Sequence, residues 1–244
     1  MQAWYKEDLA YIHDVGYGDY SLESAPGILA ILAENNIRDG LVVDLGCGSG
    51  LSALELTKAH FQVLGVDISE ALIAIARTRV PTAEFRVESL FKTHIPACKA
   101  VISIGECLNY LFDDVNHAQR LIQLFERIYN ALTVGGVFIF DIAEPGQVIA
   151  GNRVRSFNEG KDWIVLVEKE EDREKFVLSR RIVTLRKVGE YYRRDDELHE
   201  LQLYEASNIT EKLRQTGFTI ESMTHYGDYP LPQAHVAFVA HKPM

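Results

Sequence analysis

Short apolar runs alternate with amphipathic stretches over residues 41–143, a pattern typical of strands that alternate with helices. The apolar runs predict five strands, at residues 41–45, 62–66, 83–87, 100–104 and 136–142. Helices are predicted over 51–61, after Ser69 and, most clearly, over 116–132, where apolar residues recur at spacings of three and four before Gly135 and Gly136 end the helix. Strands connected by helices form a parallel sheet.

The pattern changes beyond residue 150. Strand-like runs at 163–169, 175–188 and 197–204 follow one another without helical periodicity between them, which predicts an antiparallel insertion. Helical spacing returns at Ser207 or Asn208 and stops at Gly217. Two further strands, at 219–226 and 234–241, are predicted to close the sheet as a hairpin.

The first 36 residues contain Tyr5, Tyr11, Tyr17 and Tyr20, followed by an apolar helical stretch at 26–32. Each tyrosine taken alone can be explained as packing of a helix pair onto the core. As a group the tyrosines suggest a lid over a ligand, and the sequence leaves both interpretations open.

Three glycines at alternate positions follow the first predicted strand, in the sequence VVDLGCGSG at residues 42–50. Glycine reaches dihedral angles that other residues avoid, and it leaves no Cβ between the backbone and a ligand. The helix that follows directs free N–H groups towards the same place. The second predicted strand is followed by Asp67, whose two carboxylate oxygens match the two hydroxyls of a ribose. These features predict a cofactor that contains a nucleoside.

The glycine spacing bears on which cofactor this is. Dinucleotide-binding turns have the pattern GxGxxG, and the place of its third glycine is taken here by Leu51. The sequence DLGCGSG at 44–50 followed by LGVDIS at 64–69 resembles motif I and the next acidic motif of class I S-adenosylmethionine-dependent methyltransferases. The resemblance implies an α/β, Rossmann-like, seven-stranded methyltransferase sheet, mostly parallel with the last strand antiparallel, and an antiparallel β insertion after strand five.

The same resemblance implies a division of the chain and a set of cofactor contacts. The division is a lid segment at 1–36, an S-adenosylmethionine-binding core at 37–150 and 206–244, and a cap at 151–205 over the substrate side. At the position after strand three where the family commonly has an acid, this chain has Ser89, so Ser89 with Leu90 is favoured over Glu88 for adenine. The implied cofactor-binding residues are Asp44, Gly46, Cys47, Gly48, Gly50, Asp67, Ile68, Ser89, Leu90 and Gly105.

The family places residues near the reacting atoms at the end of strand four. Glu106 is therefore the candidate catalytic residue, able to hold an amine or accept a proton. Alternative bases are Asp141, Glu144 and His199, although alignment for in-line displacement can make a base unnecessary. The candidate substrate-binding residues are Tyr20, Asn109, Tyr110 and His199.

Two patterns in the predicted insertion bear on anionic substrates. Related strands often contain His-x-x-Arg-x-Tyr, and this chain has His199, Gln202 and Tyr204 without the arginine. The basic pairs at 180–181, 186–187 and 193–194 are interleaved with acids, so we interpret them as solvent-facing strand residues rather than an anion site.

Composition limits the class of protein. The 244 residues, 47% of them hydrophobic, are enough to bury one core. Three cysteines without a CxxC pair predict neither a disulfide framework nor a metal site, and they favour a cytoplasmic setting. No leader or membrane segment is predicted. A net charge of −10 disfavours nucleic acid as a partner. A homodimer is possible.

The predicted function is transfer of a methyl group from S-adenosylmethionine to a nitrogen or oxygen nucleophile of a small molecule, by in-line displacement. Two alternatives remain open at this point. One is an NAD-dependent oxidoreductase, suggested by the glycine turn with Asp67. The other is a regulatory protein that binds the cofactor without catalysis, suggested by the altered acid after strand three.

Overall fold

A computed structural model describes residues 4–112, 118–149 and 152–243 of the chain. The helices are α1 (Glu7–Gly16), α2 (Asp19–Glu34), α3 (Leu51–Lys58), α4 (Glu70–Arg79), α5 (Ala118–Ala131) and α6 (Ala206–Thr216). The strands are β1 (Leu41–Leu45), β2 (Gln62–Asp67), β3 (Glu84–Val87), β4 (Cys98–Ser103), β5 (Leu132–Ala143), β6 (Arg153–Glu159), β7 (Trp163–Asp172), β8 (Val177–Val188), β9 (Tyr191–Gln202), β10 (Thr219–Met223), β11 (His225–Tyr226), β12 (Tyr229–Pro230) and β13 (His235–His241).

Seven strands form the central sheet in the order β10-β13-β5-β4-β1-β2-β3. The pairs β1–β2, β2–β3, β1–β4 and β4–β5 are parallel, whereas β13 is antiparallel to both of its neighbours. The chain runs outwards from β1 in one direction and then returns to build the other half from β4, so the strand order reverses between β1 and β4. The predicted seven-stranded sheet with a reversed final strand is confirmed.

The junction between α5 and β5 differs from the prediction. The helix ends at Ala131 and β5 begins at the next residue, so Gly135 and Gly136 lie within the strand rather than at the helix end. The pairing of β4 with β5 shifts register here, from Cys98 opposite Leu132 to Ala100 opposite Val137. Glycines accommodate this irregularity, since Gly135 has a φ of 75°. The predicted helix start at Asn116 lies outside the described residues.

Strands β6 to β9 form a separate four-stranded sheet, connected as antiparallel neighbours in sequence order. We call this sheet the cap. The antiparallel insertion was predicted, but β6 was missed because every residue in it is exposed and it lacks an apolar alternation. Strand β9 also begins earlier than predicted, at Tyr191. The proposed boundary between residues 150 and 151 lies outside the described residues, and the division of the chain stays a prediction.

The N-terminal helices join the cap to the central sheet. Leu9 and Ile12 of α1 pack against Trp163, Val165 and Ile182 on one face of the cap. Helix α2 packs on the central sheet through Ile28 and Leu32, and it also lies close to β11, where a Cβ on Gly27 would come within 2.3 Å of the backbone of Tyr226. We call the cap face that contacts α1 the inner face. Within the described residues, no helix combines the length and the apolar character needed to cross a membrane.

Candidate functional site

A cavity of about 420 Å³ lies where the strand order reverses, at the carboxyl ends of β1 and β4. Ligands of open α/β sheets bind at this position because the loops of the two halves separate there. The glycine turn forms one end of the cavity and the inner face of the cap forms the other. Residues of α1 and α2 line its side, including Leu9 and Tyr20.

The glycine turn has the backbone that the sequence predicts. The φ angles of Gly46, Gly48 and Gly50 are 83°, 52° and 79°, all in the region that favours glycine. A Cβ on Gly46 would lie 2.4 Å from Sγ of Cys107, so the turn packs against the end of β4. A Cβ on Gly48 would meet nothing within 4 Å, because this glycine faces the cavity. Gly50 does not line the cavity and begins α3.

Two carboxylates end the strands beside the turn. Asp67 accepts the backbone N–H of Gly48 at 2.9 Å through Oδ2 and that of Ser69 at 2.8 Å through Oδ1. Burial raises its pKa, although these backbone donors oppose the effect. Burial, and secondarily the charge of Asp67, raises the pKa of Asp44 to about 7. Oδ2 of Asp44 is buried and has no hydrogen-bond partner among the described residues, so it can accept a donor from a ligand.

The residues predicted for adenine lie along the same end of the cavity. Ile68, Ser89 and Leu90 line it, as does Cys47. Glu88 does not, since its carboxylate accepts a hydrogen bond of 2.6 Å from the hydroxyl of Thr93. Of the two residues considered after β3, the structure brings Ser89 to the cavity.

Glu106 lies at the end of β4 with a φ of 54°, and its carboxylate is buried between two cations. Arg180 of β8 donates to Oε1, and His235 of β13 bonds to Oε2 at 2.6 Å. Burial alone would raise the pKa of Glu106, but the charge of Arg180 and the hydrogen bonds from both partners lower it to about 2. The carboxylate therefore stays ionised and is a poor proton acceptor at neutral pH.

His235 has acceptors at both ring nitrogens. Nδ1 lies 2.9 Å from the carbonyl oxygen of Gln233, and Nε2 bonds to the Glu106 carboxylate. A carbonyl and an ionised carboxylate can only accept, so this geometry favours the imidazolium, with a proton on each nitrogen. Burial alone would lower the pKa of His235, but the bond to Glu106 raises it.

Asp141 shapes the loop that carries Glu106. Its carboxylate accepts the backbone N–H groups of Gly105, at 3.0 Å, and of Glu106, at 2.5 Å, and the hydroxyl of Tyr226, at 3.2 Å. Burial raises the pKa of Asp141 to about 6, although the two backbone donors oppose the effect. Gly105 lines the cavity and Asp141 does not. Asp141, one of the candidate bases, therefore binds the loop on the side away from the cavity.

Three of the four N-terminal tyrosines line the cavity, namely Tyr5, Tyr17 and Tyr20. The Tyr5 hydroxyl lies 3.1 Å from that of Tyr110, which also accepts a hydrogen bond of 3.3 Å from Nη1 of Arg180. Tyr11 lies elsewhere, with its ring 3.6 Å beneath the Arg186 guanidinium.

Besides Gly50 and Asp141, three further predicted site residues lie outside the cavity lining. The side-chain amide of Asn109 is fully buried and bonds to the backbone of Ala143 and Gln202. His199 is also fully buried, and its Nε2 bonds to Glu197 at 2.9 Å. Glu144 accepts the N–H of Ala206 at the start of α6. In this structure the hydrogen bonds of these side chains connect segments of the fold, and His199 packs behind Tyr5 and Tyr110 of the cavity lining.

Three residues that were not predicted for the site also line the cavity, namely Lys169, Arg180 and His235. Our interpretation of the basic pairs as solvent-facing is wrong for Arg180, whose side chain is 12% exposed. It is correct for Arg181, which is exposed and pairs with Asp196. Side chains alternate between the two faces of a strand, so Arg180 of β8 shares a face with Leu178 and Ile182. Because both of these residues are apolar and buried, the sequence could have predicted that Arg180 is buried too.

Comparison with known proteins identifies the relatives of this chain. Residues 42–136 match the family model described as a methyltransferase domain. A putative methyltransferase of Geobacillus sp. (strain WCH70) is 27% identical over 188 residues, which cover 75% of each chain.

Two solved structures share the fold over nearly the full length. An S-adenosylmethionine-dependent methyltransferase from Clostridium acetobutylicum ATCC 824 has a TM-score of 0.80 at 21% identity, over 96% of this chain and 97% of that one. The sugar N-methyltransferase KedS8 from Streptoalloteichus sp ATCC 53650 has a TM-score of 0.77 at 21% identity, over 100% and 98%. The family match at residues 42–136 includes nearly all of β1 and the whole of β2, β3 and β4, and these comparisons show that the chain is similar to S-adenosylmethionine-dependent methyltransferases in sequence and in fold.

Proposed function

We propose that this methyltransferase transfers the methyl group of S-adenosylmethionine to a nitrogen or oxygen atom of a small molecule held beneath the cap. The observation that carries the proposal is the single cavity that contains both the glycine turn and the inner face of the cap. A cofactor at the turn and an acceptor at the cap would meet beside Gly105, at the end of β4. The cap and α1 limit the acceptor to a small molecule.

The residues at the turn fit the cofactor. Gly48 offers an open approach to the backbone, and Asp67 has lone pairs beyond those used by Gly48 and Ser69 with which to accept ribose hydroxyls. The free Oδ2 of Asp44 suits the ammonium of the methionine part. Ile68 and Leu90 would pack on adenine. When bound, the cofactor supplies a methyl group on a positively charged sulfur.

The chain's contribution to the reaction is alignment. The bound cofactor would supply the methyl carbon, and the residues around Gly105 would hold the acceptor's lone pair in line with the bond from that carbon to sulfur, which would break as the new bond forms and release S-adenosylhomocysteine. Holding the reacting atoms in line lowers the barrier without a base, because the carbon is already activated. Glu106, predicted as a catalytic residue, is better suited to a positioning role, since its low pKa makes it a poor base and both of its oxygens are already bonded. An amine proton can then leave to water after transfer.

The similar structures support a small acceptor. KedS8 is described as a sugar N-methyltransferase, and CalS10, with a TM-score of 0.77 at 15% identity, as an amino pentose methyltransferase. Likeness of fold does not name a substrate, so the acceptor atom and its molecule remain part of the proposal. The possible homodimer stays a prediction.

The first experiment is a calorimetric titration with S-adenosylhomocysteine, with NAD as the control ligand. We expect saturable binding of S-adenosylhomocysteine and none of NAD. The opposite result would favour the oxidoreductase alternative and overturn the proposal. Incubation with a labelled methyl donor and a panel of small amines, alcohols and phenols then tests transfer, and binding without transfer to any acceptor would favour the regulatory alternative.

A further inference from the structure

Two basic residues face each other across the cap. Lys169 of β7 is directly opposite Arg180 of β8 in the antiparallel register. Both line the cavity, on the inner face that also carries Val167 and Ile182. Opposed residues in such a pair have Cβ atoms about 5 Å apart, and like charges at that separation destabilise a sheet. The arrangement therefore requires negative charge nearby.

Glu106 supplies only part of that charge. Its carboxylate bonds to both Arg180 and His235, so one anion is shared by two cations. The Lys169 ammonium makes no hydrogen bond or ion pair with the described residues. Burial, followed by the charge of Arg180, lowers the pKa of Lys169, although the charge of Glu106 opposes this. Lys169 is thus a partly buried cation without a counter-ion of its own.

Arg180 also retains an unused donor. Its Nη1 bonds to Glu106 and Tyr110, whereas its Nε–H is buried and has no acceptor among the described residues. A buried donor without a partner costs free energy, which a bound acceptor would recover. A buried donor of Arg180 without an acceptor and the ammonium of Lys169 without a counter-ion, both among the described residues, therefore lie on the same stretch of the inner face.

The two ends of the cavity differ in charge, and both donors lie at the basic end. The end at the glycine turn is acidic, with Asp44 and Asp67. The end at the cap has Lys169, Arg180 and His235 around Glu106, with Asp141 behind the loop. The chain as a whole has a net charge of −10, so a basic patch in its ligand cavity departs from the average.

We infer that the methyl acceptor carries an anionic group, a carboxylate or a phosphate, which Lys169 binds with the Nε–H of Arg180 as a second donor. The inference rests on the proposed function and names the class of its substrate. The anion would pair with Lys169 and relieve its repulsion with Arg180. This places the acceptor's negative group at the cap and directs its nucleophilic atom towards Gly105.

The cofactor is a competing source of the anion, because its methionine part also has a carboxylate. The Lys169→Met variant distinguishes the two sources, since it removes the charge and keeps the length of the side chain. If Lys169 binds the acceptor, the variant retains its affinity for S-adenosylhomocysteine. If Lys169 binds the cofactor carboxylate, that affinity falls, whereas affinity for 5′-methylthioadenosine, which lacks the carboxylate, does not change.

Anion binding can be measured before the acceptor is known. The protein, with and without S-adenosylhomocysteine, is titrated with benzoate and with inorganic phosphate, and with benzamide as a neutral control. We expect saturable binding of one anion, weakened at least tenfold in Lys169→Met. Arg181→Met is the matched control, because Arg181 neighbours Arg180 in sequence but is exposed on the opposite face. Thermal unfolding of each variant verifies that the cap is intact.

The outcomes separate this inference from the proposed function. Failure of the wild type to bind S-adenosylhomocysteine would overturn the proposed function, whether or not benzoate or phosphate binds. Normal cofactor binding combined with no saturable anion binding, or with equal binding in Lys169→Met, would overturn the inference alone. Benzoate rather than phosphate as the bound probe would identify the acceptor's group as a carboxylate.

Discussion

Glu106 and Arg180 form a buried ion pair that joins the end of β4 to the inner face of the cap. The two residues are 74 positions apart in sequence, and their side chains are 10% and 12% exposed. The pair thus connects the sheet that is proposed to bind the cofactor to the sheet that is proposed to cover the acceptor.

Removing both members of the pair should cost less than the sum of the costs of removing each alone. Arg180→Met leaves the Glu106 carboxylate buried with His235 as its remaining cation, and we expect a loss of about 3 kcal/mol in unfolding free energy. The double variant Glu106→Gln/Arg180→Met should be less destabilised than the sum of the single variants. Chemical denaturation of all four proteins measures the coupling. Strictly additive costs would contradict the pairing, and Arg181→Met should change stability by less than about 0.5 kcal/mol.

The His235 contact should make stability depend on pH in the neutral range. Because the folded pKa of His235 is raised above its ordinary value of about 6.5, its contribution is complete below that pH and is lost as the pH rises through the folded pKa. The difference in unfolding free energy between the wild type and His235→Gln should therefore shrink from pH 6 to pH 9. The exposed His225 provides the matched variant, His225→Gln. A difference that grew with pH would show that the imidazole is neutral in the folded protein.

Asp44 should couple cofactor binding to proton release. Its pKa is about 7 in the free protein, and pairing with a ligand ammonium would lower it. Affinity for S-adenosylhomocysteine should fall by up to roughly tenfold for each pH unit below 7, because a proton must then be displaced. Calorimetry in buffers of different ionisation enthalpy counts the released proton. 5′-Methylthioadenosine, which lacks the ammonium, should not show this dependence.

The same carboxyl should destabilise the free protein at high pH. The folded pKa of Asp44 lies above the unfolded value of about 3.9, so its contribution to stability declines between those two values as the pH rises. Asp44→Asn should consequently be more stable than the wild type at pH 8, with the advantage absent near pH 4, while binding S-adenosylhomocysteine more weakly. Lower stability of Asp44→Asn at pH 8 would contradict this, because it would show that interactions in the folded protein outweigh the cost of burying the ionised Asp44 carboxylate.

Replacing Gly46 should mainly lower stability, whereas replacing Gly48 should mainly weaken cofactor binding. Gly46→Ala brings a methyl group to within 2.4 Å of Cys107 at a φ of 83°, so stability should fall. Gly48→Ala meets open space at a φ of 52°, so it should cost about 1 kcal/mol and mainly weaken S-adenosylhomocysteine binding. Gly189→Ala, with a φ of 63° and open space, controls for the backbone cost. Unchanged binding by Gly48→Ala would mean that the cofactor does not approach this glycine.

Asp67 should make the protein prefer ligands that carry both ribose hydroxyls. The Asp67→Ala variant is expected to weaken binding of S-adenosylhomocysteine at least tenfold, whereas Asp39→Ala, at an exposed site outside the cavity lining, should not. Loss of the bond to Gly48 could also weaken binding by loosening the turn. The ratio of affinities for adenosine and 2′-deoxyadenosine separates the two effects. If that ratio is the same in Asp67→Ala as in the wild type, Asp67 supports the turn and does not contact the ribose.

The inner strands β1, β2, β4 and β13 of the central sheet were predictable because burial on both faces leaves nearly continuous apolar runs. β1 is predicted at its observed bounds, and the ends of β2 and β3 differ by a single residue. Strand β6 shows the limit, since all of its residues are exposed and its pairing with β7 depends on backbone groups that leave no apolar pattern.

The sequence by itself determined the fold family and the cofactor end of the cavity. Those features depend on local chemistry, because the glycines at 46 and 48 and the acids at 44 and 67 lie within or directly after two adjacent strands. Tertiary structure decided the acceptor end, where Glu106 of the loop after β4 meets Arg180 of the cap and His235 of the last strand. Long-range pairing brings these charges together. Alternation along a strand tells which residues share a face, but not which of that strand's two faces covers the cavity.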